Sequence, residues 1–420
     1  MNSHRAMKNR DNLEFSSTKT KRYATAKVVA LTTLVQALAT LCTLVPATIA
    51  PELASAFGLP ASMIGYQVSL IYFGAIITSL AGGILIRRFG ALRTSQIALI
   101  FSGSGLVLSA APSIFTYATG SILIGFGYGL TNPAASHLLM QISRPENRNF
   151  IFSLKQTGVP LGAVCAGLSA PTLAILCGWQ WTFLILGAIT LGFVILIQPF
   201  QPKLDWDRDK TASMKYNLND DLGMVWNNPT LRMLSLAAFC FSAVQISLSA
   251  FAVIMLVEDL SFGLVQAGIV LSVLQVAGMI GRVLWGGIAD WLEDANRVLL
   301  VVALIAALAG ILTMSLSPNT SIFVVYLVLC LFGVSAIGWN GVFLAEIARL
   351  APEGRVSNAT VGAMVPTYTG VVVGPATFAA LHGLSGMHTA TFGVFSFVSL
   401  IGFSLVFSAR RRIIKTITNS

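Results

Sequence analysis

Apolar residues run almost without interruption through twelve long stretches of the chain. In the first half these are Val28–Ile49, Ser62–Ile86, Thr94–Ala111, Ile114–Met140, Phe150–Leu176 and Trp181–Ile197. In the second half they are Leu231–Leu256, Leu264–Ala289, Val298–Leu316, Ile322–Ala348, Ala359–Leu381 and Thr389–Ser408. Each is near the roughly 20 residues that a helix needs to cross a bilayer. None alternates apolar with polar as a barrel strand does, so the pattern predicts membrane-spanning helices. The polar segments between them alternate in charge. Arg87, Arg88 and Arg93 follow span two, Arg144 and Arg148 span four, and Lys203, Arg208, Lys210 and Lys215 span six. Arg297 follows span eight, Arg355 span ten, and Arg410, Arg411, Arg412 and Lys415 close the chain. The loops after the odd-numbered spans hold no lysine or arginine. Positive residues beside spans stay on the cytosolic side. The expectation is a multi-pass protein of the inner (cytoplasmic) membrane with both termini in the cytosol.

Composition sharpens this. The chain is 55% hydrophobic and 10% charged, with a mean hydropathy of +0.79, outside the range of soluble domains. The net charge of +10 is accounted for by topology and by attraction to anionic lipid, so no nucleic-acid partner is expected. Residues 1–26 are polar and mixed in charge and read as a mobile cytosolic tail. The first apolar stretch starts late and reads as a span, not a removable signal. Five cysteines (Cys42, Cys165, Cys177, Cys240, Cys330) fit neither a metal site nor a disulfide framework, so they read as packing residues. No cofactor is expected, and no nucleophile or metal constellation suggests an enzyme.

The chain divides and repeats. The one long polar interior segment lies between spans six and seven and holds Asp205, Asp207, Asp209, Asp220 and Asp221. The expected organisation is a tail (1–26), a six-helix bundle (27–198), a central loop (199–229), a second six-helix bundle (230–408) and a closing tail (409–420). Gly82-Gly83-Ile84 ends span two and recurs 204 residues on as Gly286-Gly287-Ile288, ending span eight. Pro145-Glu146-Asn147-Arg148 recurs 207 residues on as Pro352-Glu353-Gly354-Arg355. Such parallel repeats place a substrate site between the halves, near the bilayer midplane.

These residues resemble the major facilitator superfamily, whose loop signature after spans two and eight runs roughly Gly-x-Leu-Ala-Asp-Arg-x-Gly-Arg. Span eight supplies Gly286-Gly287-Ile288-Ala289-Asp290-Trp291. Span two supplies Gly83-Ile84-Leu85-Ile86-Arg87-Arg88-Phe89-Gly90, with Arg87 where the acid belongs. The resemblance covers about residues 28–408. It implies an all-α membrane protein of twelve helices in two pseudo-repeated six-helix bundles, working as a secondary active transporter by alternating access. It also implies gating roles for Gly83, Arg87, Arg88, Gly286, Gly287 and Asp290. Gly158-Val159-Pro160-Leu161-Gly162 in span five is similar to the antiporter motif, except that Val159 separates glycine from proline. Gly125-Phe126-Gly127-Tyr128-Gly129 replaces the family's span-four arginine and reads as close packing.

Two cations stand inside apolar stretches. Arg282 costs about 2.5–3.5 kcal/mol at a helix centre, so it should face a cavity or a partner. Gln275, Gly278, Arg282 and Gly286 share one helical face, which suits an anionic group if the glycines leave space. The alternatives are that Arg282 snorkels or pairs with Asp290. An arginine followed four residues later by glycine in span eight is also similar to the superfamily's monocarboxylate and oxalate transporters. Lys155 opens span five and is expected to snorkel to the interface or to gate. Polar stripes could line the same cavity: Gln36, Thr40 and Thr43; Tyr128, Asn132 and Ser136; Ser242, Gln245 and Ser249; with Trp339, Asn340 and Tyr368. No Asp or Glu lies near the centre of any span, so a coupling proton would use His137, an end carboxylate or the substrate.

The inventory predicts a monomeric transporter of a small organic anion, coupled to a proton or a counter-substrate. The alternative is a proton-driven exporter of drugs or metabolites. A non-transporting receptor would need a signalling domain that the loops are too short to hold, and no phosphate-binding loop indicates ATP hydrolysis.

Overall fold

The computed structural model describes residues 2–58, 66–209, 211 and 218–418, and every element among them is a helix. Residues 62–65 of span two, and Lys210 and Lys215 of the central loop, lie outside the described residues. Eleven segments are long and apolar enough to cross a membrane. Ile114–Ile142, 29 residues rich in glycine, serine and threonine, completes the twelve.

In chain order the spans are Asn2–Thr48, Tyr66–Phe89, Ala91–Leu108, Ile114–Ile142, a broken fifth (Arg148–Gln156 and Gly158–Cys177) and Trp179–Ile197. The second six are Pro229–Glu258, Leu264–Leu292, Ala295–Thr313, a broken tenth (Ile322–Ala336 and Asn340–Leu350), Val356–Ser385 and His388–Thr418. Two helices overrun the expected tails. The first begins at Asn2, in a stretch with no glycine or proline to stop it. The last runs ten residues past Ser408 to Thr418, and Arg410 reaches Asp294 between spans eight and nine at 2.8 Å.

With an even number of spans, both chain ends and every arginine-bearing loop share one face, called here the charge-rich face. Helix starts there are capped locally. The Asn228 side chain accepts from the amides of Thr230 and Leu231, with Pro229 in the first helical position. Asp294 accepts from the Arg297 amide.

Apolar side chains cover the outside of the bundle as well as filling its cores, and polar ones are also buried. Large apolar side chains such as Ile175, Ile195, Phe323 and Phe397 stand exposed around the bundle, while Gln36, Thr190, Arg282 and Glu346 are buried within it. Small residues allow the close approach that membrane helices rely on. A Cβ on Gly125, Gly127 or Gly129 would meet the carbonyls of Ile71, Ala98 and Ala75, so this stretch of span four packs against spans two and three. Between the halves, span two packs on span eleven, where Gly82 faces Val361. Span five packs on span eight, where Gly286 faces Ser153. The repeated glycines thus occupy matching inter-half seams.

Candidate functional site

The two broken helices create the site. Proline has no N–H, so Pro160 cannot donate to the carbonyl of Gln156 four residues earlier. Span five breaks there, at Thr157. The freed Gln156 carbonyl accepts from Arg282 Nη1 at 2.7 Å. Span ten breaks over residues 337–339. The Val334 carbonyl there accepts from Trp285 Nε1 at 2.9 Å, and the Trp285 ring lies where a Cβ on Gly338 would be. Arg282 and Trp285 are less than one turn apart on span eight. One helix therefore satisfies the backbone of two broken neighbours, as irregular backbone inside a membrane requires.

A cavity of about 220 Å³ opens beside these breaks. Its buried floor includes Asn132, Arg282, Trp339 and Tyr368. Towards the face opposite the charge-rich one it is bounded by the half-exposed Leu44, Ala163, Ile246, Ser249, Gln275 and Val371. Tyr72, Tyr128 and Tyr368, from spans two, four and eleven, form an aromatic wall with ring centroids 5.7, 5.8 and 6.1 Å apart. Trp339 Nε1 and Asn340 Nδ2 both donate to Gln245 Oε1, at 3.0 and 2.9 Å. Gln275 Nε2 donates to Ser249 Oγ at 3.2 Å.

Arg282 is 1% exposed and pairs with no acid among the described residues. Asp290 is engaged elsewhere, and the guanidinium turns inward, so neither pairing with Asp290 nor snorkelling occurs. Its Nε is buried with no partner among the described residues. The neighbouring glycines do not open space for a ligand as expected, because a Cβ on Gly278 would meet Ile337 and one on Gly286 would meet Ser153. They admit other helices.

Lys155 departs from expectation. It is 2% exposed, and its Nζ turns inward to Asn132 Oδ1 at 2.7 Å, Gln36 Oε1 at 2.8 Å and Gln156 Oε1 at 3.2 Å. It does not snorkel, because three acceptors from spans one, four and five surround it. Of the residues expected to line the site, Arg282, Gln275, Tyr128, Asn132, Gln245, Trp339, Asn340 and Tyr368 border the cavity. Gln36 does not and lies behind it beside Lys155. Tyr72 and Gln156 also border it. A tyrosine in an apolar run was the signal for the first, and the amide next to Lys155 for the second.

The charge-rich end is closed by a second cluster. Asp290 Oδ1 accepts from the Asn149 amide at 3.0 Å and from Asn149 Nδ2 at 2.9 Å, and Oδ2 accepts from the Phe150 amide at 2.8 Å. The span-eight carboxylate thus caps the first turn of span five, where backbone donors lack helical partners. Gly287 lies 4.0 Å by its Cβ direction from the Phe150 ring, and a Cβ on Gly341 would meet the Ser153 backbone. Across the repeat, Gly82 matches Gly286, which puts the buried Ile86 in the place of Asp290 and exposed Arg87 beside it. Gly83 is buried and Arg88 half-buried. An acid instead comes from the central loop. Asp205 Oδ1 and Oδ2 accept from the Leu92 and Arg93 amides at 2.7 and 3.0 Å, beside Gly90, whose φ of +95° suits glycine. Burial pushes the Asp205 carboxyl up, against the pull of those amides. Asp209 N donates to the Arg87 carbonyl, and His137 and Gln141 meet Asp207 at 2.7 Å.

Residues 32–365 match the model of the Major Facilitator Superfamily. The benzoate transport protein of Acinetobacter baylyi is 24% identical over 82% of this chain and 80% of its own length. Solute carrier family 2, facilitated glucose transporter member 10, of Xenopus laevis is 30% identical, over 34% of this chain and only 27% of that protein. The chain therefore spans about a quarter of the length of that relative. In structure it is similar to FucP in the outward conformation, at a TM-score of 0.74 and 18% identity, covering 91% of this chain and 98% of that one. The human organic anion transporter MFSD10 also gives 0.74, at 15% identity, covering 91% and 99%. At these identities the likeness is one of fold.

Proposed function

The chain belongs to the major facilitator superfamily, and from that membership we propose that it carries a small organic anion across the cytoplasmic membrane by alternating access, with its charge-rich face in the cytosol. The observation that carries the anion reading is Arg282. Its guanidinium lies on the cavity floor, anchored by one nitrogen to the Gln156 carbonyl, with Nε unpartnered and no acid paired to it among the described residues. A guanidinium offers five donors in a planar fork, so the free edge suits a carboxylate. The tyrosine wall and the modest volume favour a compact, flat molecule. The relative named a benzoate transport protein agrees with that choice. The charge alternation of the loops supports the orientation.

The test is equilibrium binding of benzoate to purified wild type, Arg282→Lys and Arg282→Ala, with melting temperatures alongside. A charge-assisted hydrogen bond contributes about 1.5–3 kcal/mol, so alanine should weaken binding by about tenfold to a hundredfold. Lysine can reach the Gln156 carbonyl but has no second edge. It should therefore recover stability better than affinity. Unchanged benzoate affinity in Arg282→Ala would remove the anion from this site.

A further inference from the structure

Lys155 has no place in that reading, since it borders no part of the cavity. It is nevertheless a cation held in the membrane interior, with no carboxylate paired to it among the described residues. Its partners explain what it does. An ammonium has three donors and no acceptor, and here it meets three carboxamide oxygens, those of Gln36, Asn132 and Gln156. A carboxamide has a donor end and an acceptor end, and ordinarily either could face a given neighbour. Facing an ammonium, only the oxygen can bind.

We propose that Lys155 is a positioning residue that fixes the polarity of the cavity wall, holding the carboxamides of Asn132 and Gln156 by their oxygens so that their N–H groups are left to an anionic ligand. The proposal rests on the anion reading above and deepens it. Both amides border the cavity. The donors they have left are weakly used within the protein. Asn132 Nδ2 lies 3.5 Å from Tyr368 Oη and 3.7 Å from Met364 Sδ, both long contacts. Gln156 Nε2 makes no hydrogen bond among the described residues. Gln36, on the side away from the cavity, completes the ammonium's coordination, and its own Nε2 reaches Thr40 Oγ1 only at 3.5 Å. The N–H groups of Asn132 and Gln156 then add donors beside the Arg282 guanidinium. Donors fixed in this way favour an anion over a ligand poor in acceptors.

Lys155→Gln is the informative change. It keeps a polar side chain, but one that donates and accepts, so it no longer dictates which way the neighbouring amides turn. The experiment is a double-mutant cycle of Lys155→Gln and Asn132→Leu in the full-length purified protein, read by benzoate affinity and, without ligand, by melting temperature. Each single change should weaken benzoate binding about tenfold. In the Lys155→Gln background, Asn132→Leu should add less than about threefold, because its donor is already misdirected. Lys155→Arg, again a donors-only group, should restore most of the loss, and it serves as the second variant if Lys155→Gln does not fold. Two losses that multiply, or a Lys155→Gln protein that binds as wild type does, would overturn the proposal. If wild type binds no benzoate, the anion reading fails. The ligand-free cycle still decides the network: overlapping destabilisation supports it and simple addition refutes it.

Discussion

At Pro160 the fifth span gives up one backbone hydrogen bond, and that loss determines what Arg282 can do. The orphaned Gln156 carbonyl ties down one guanidinium nitrogen of an arginine that borders the cavity. Pro160→Ala should supply the missing N–H and compete with Arg282 for the carbonyl. Removing an internal helix proline recovers up to about 3 kcal/mol, so the variant should melt higher yet bind benzoate more weakly. A lower melting temperature with unchanged affinity would refute this account. Arg282 was legible in the sequence because a lone charge in an apolar run stands out. Its partner was not, since a backbone carbonyl carries no mark in the sequence, and only the packing of span eight on span five brings the two together. The inward turn of Lys155 was not legible for a related reason. A long stem can reach inward or outward, and the three amides that settle the choice lie on spans one, four and five.

Among elements, spans five, eight and ten meet at the charge-rich end, and the proposed cycle would open there. Asp290 accepts three hydrogen bonds from the start of span five, two of them from backbone amides that otherwise have no partner. Asp290→Ala should weaken closure by about 1–3 kcal/mol, a factor of roughly 5 to 150 in the open-to-closed ratio. Labelling of a cysteine placed in the cavity floor should speed up from the cytosolic side in membrane vesicles. Labelling at the wild-type rate would refute the latch. Gly341→Ala should act in the same direction by a different route, because its new methyl group would push on the Ser153 backbone. If it instead slows labelling, the seam does not open at this point. The broken helices themselves were not legible. Span ten has no proline at its break, and its apolar run continues through Ile337-Gly338-Trp339. The break comes from Trp285 entering beside Gly338, a contact between elements.

At the scale of the whole molecule, the twelve spans and the duplication were readable because both are written in local composition and in residues that recur at a fixed interval. The topology can be checked with reporters. Fusions after Gly58, Gly178 or Gly383 should report the outside, and those after Ser213 or at Ser420 the cytosol. One reporter on the wrong side would break the map. The repeat is not carried through to the gate, however. Span eight ends in a carboxylate aimed at span five, while its counterpart ends in Ile86 and Arg87, neither of whose side chains can accept an amide hydrogen. The first half spends its nearby acid, Asp205, on its own third span. A machine with matched latches would share the barrier to opening between two seams, so that loss of one would be partly buffered. Here Asp290 latches one seam, and the matching positions of the first half, Ile86 and Arg87, bring no carboxylate to the other. A transport cycle gated in this way would have one throttle, so small changes around Asp290 should tune its turnover where the same changes at residue 86 or 87 would not.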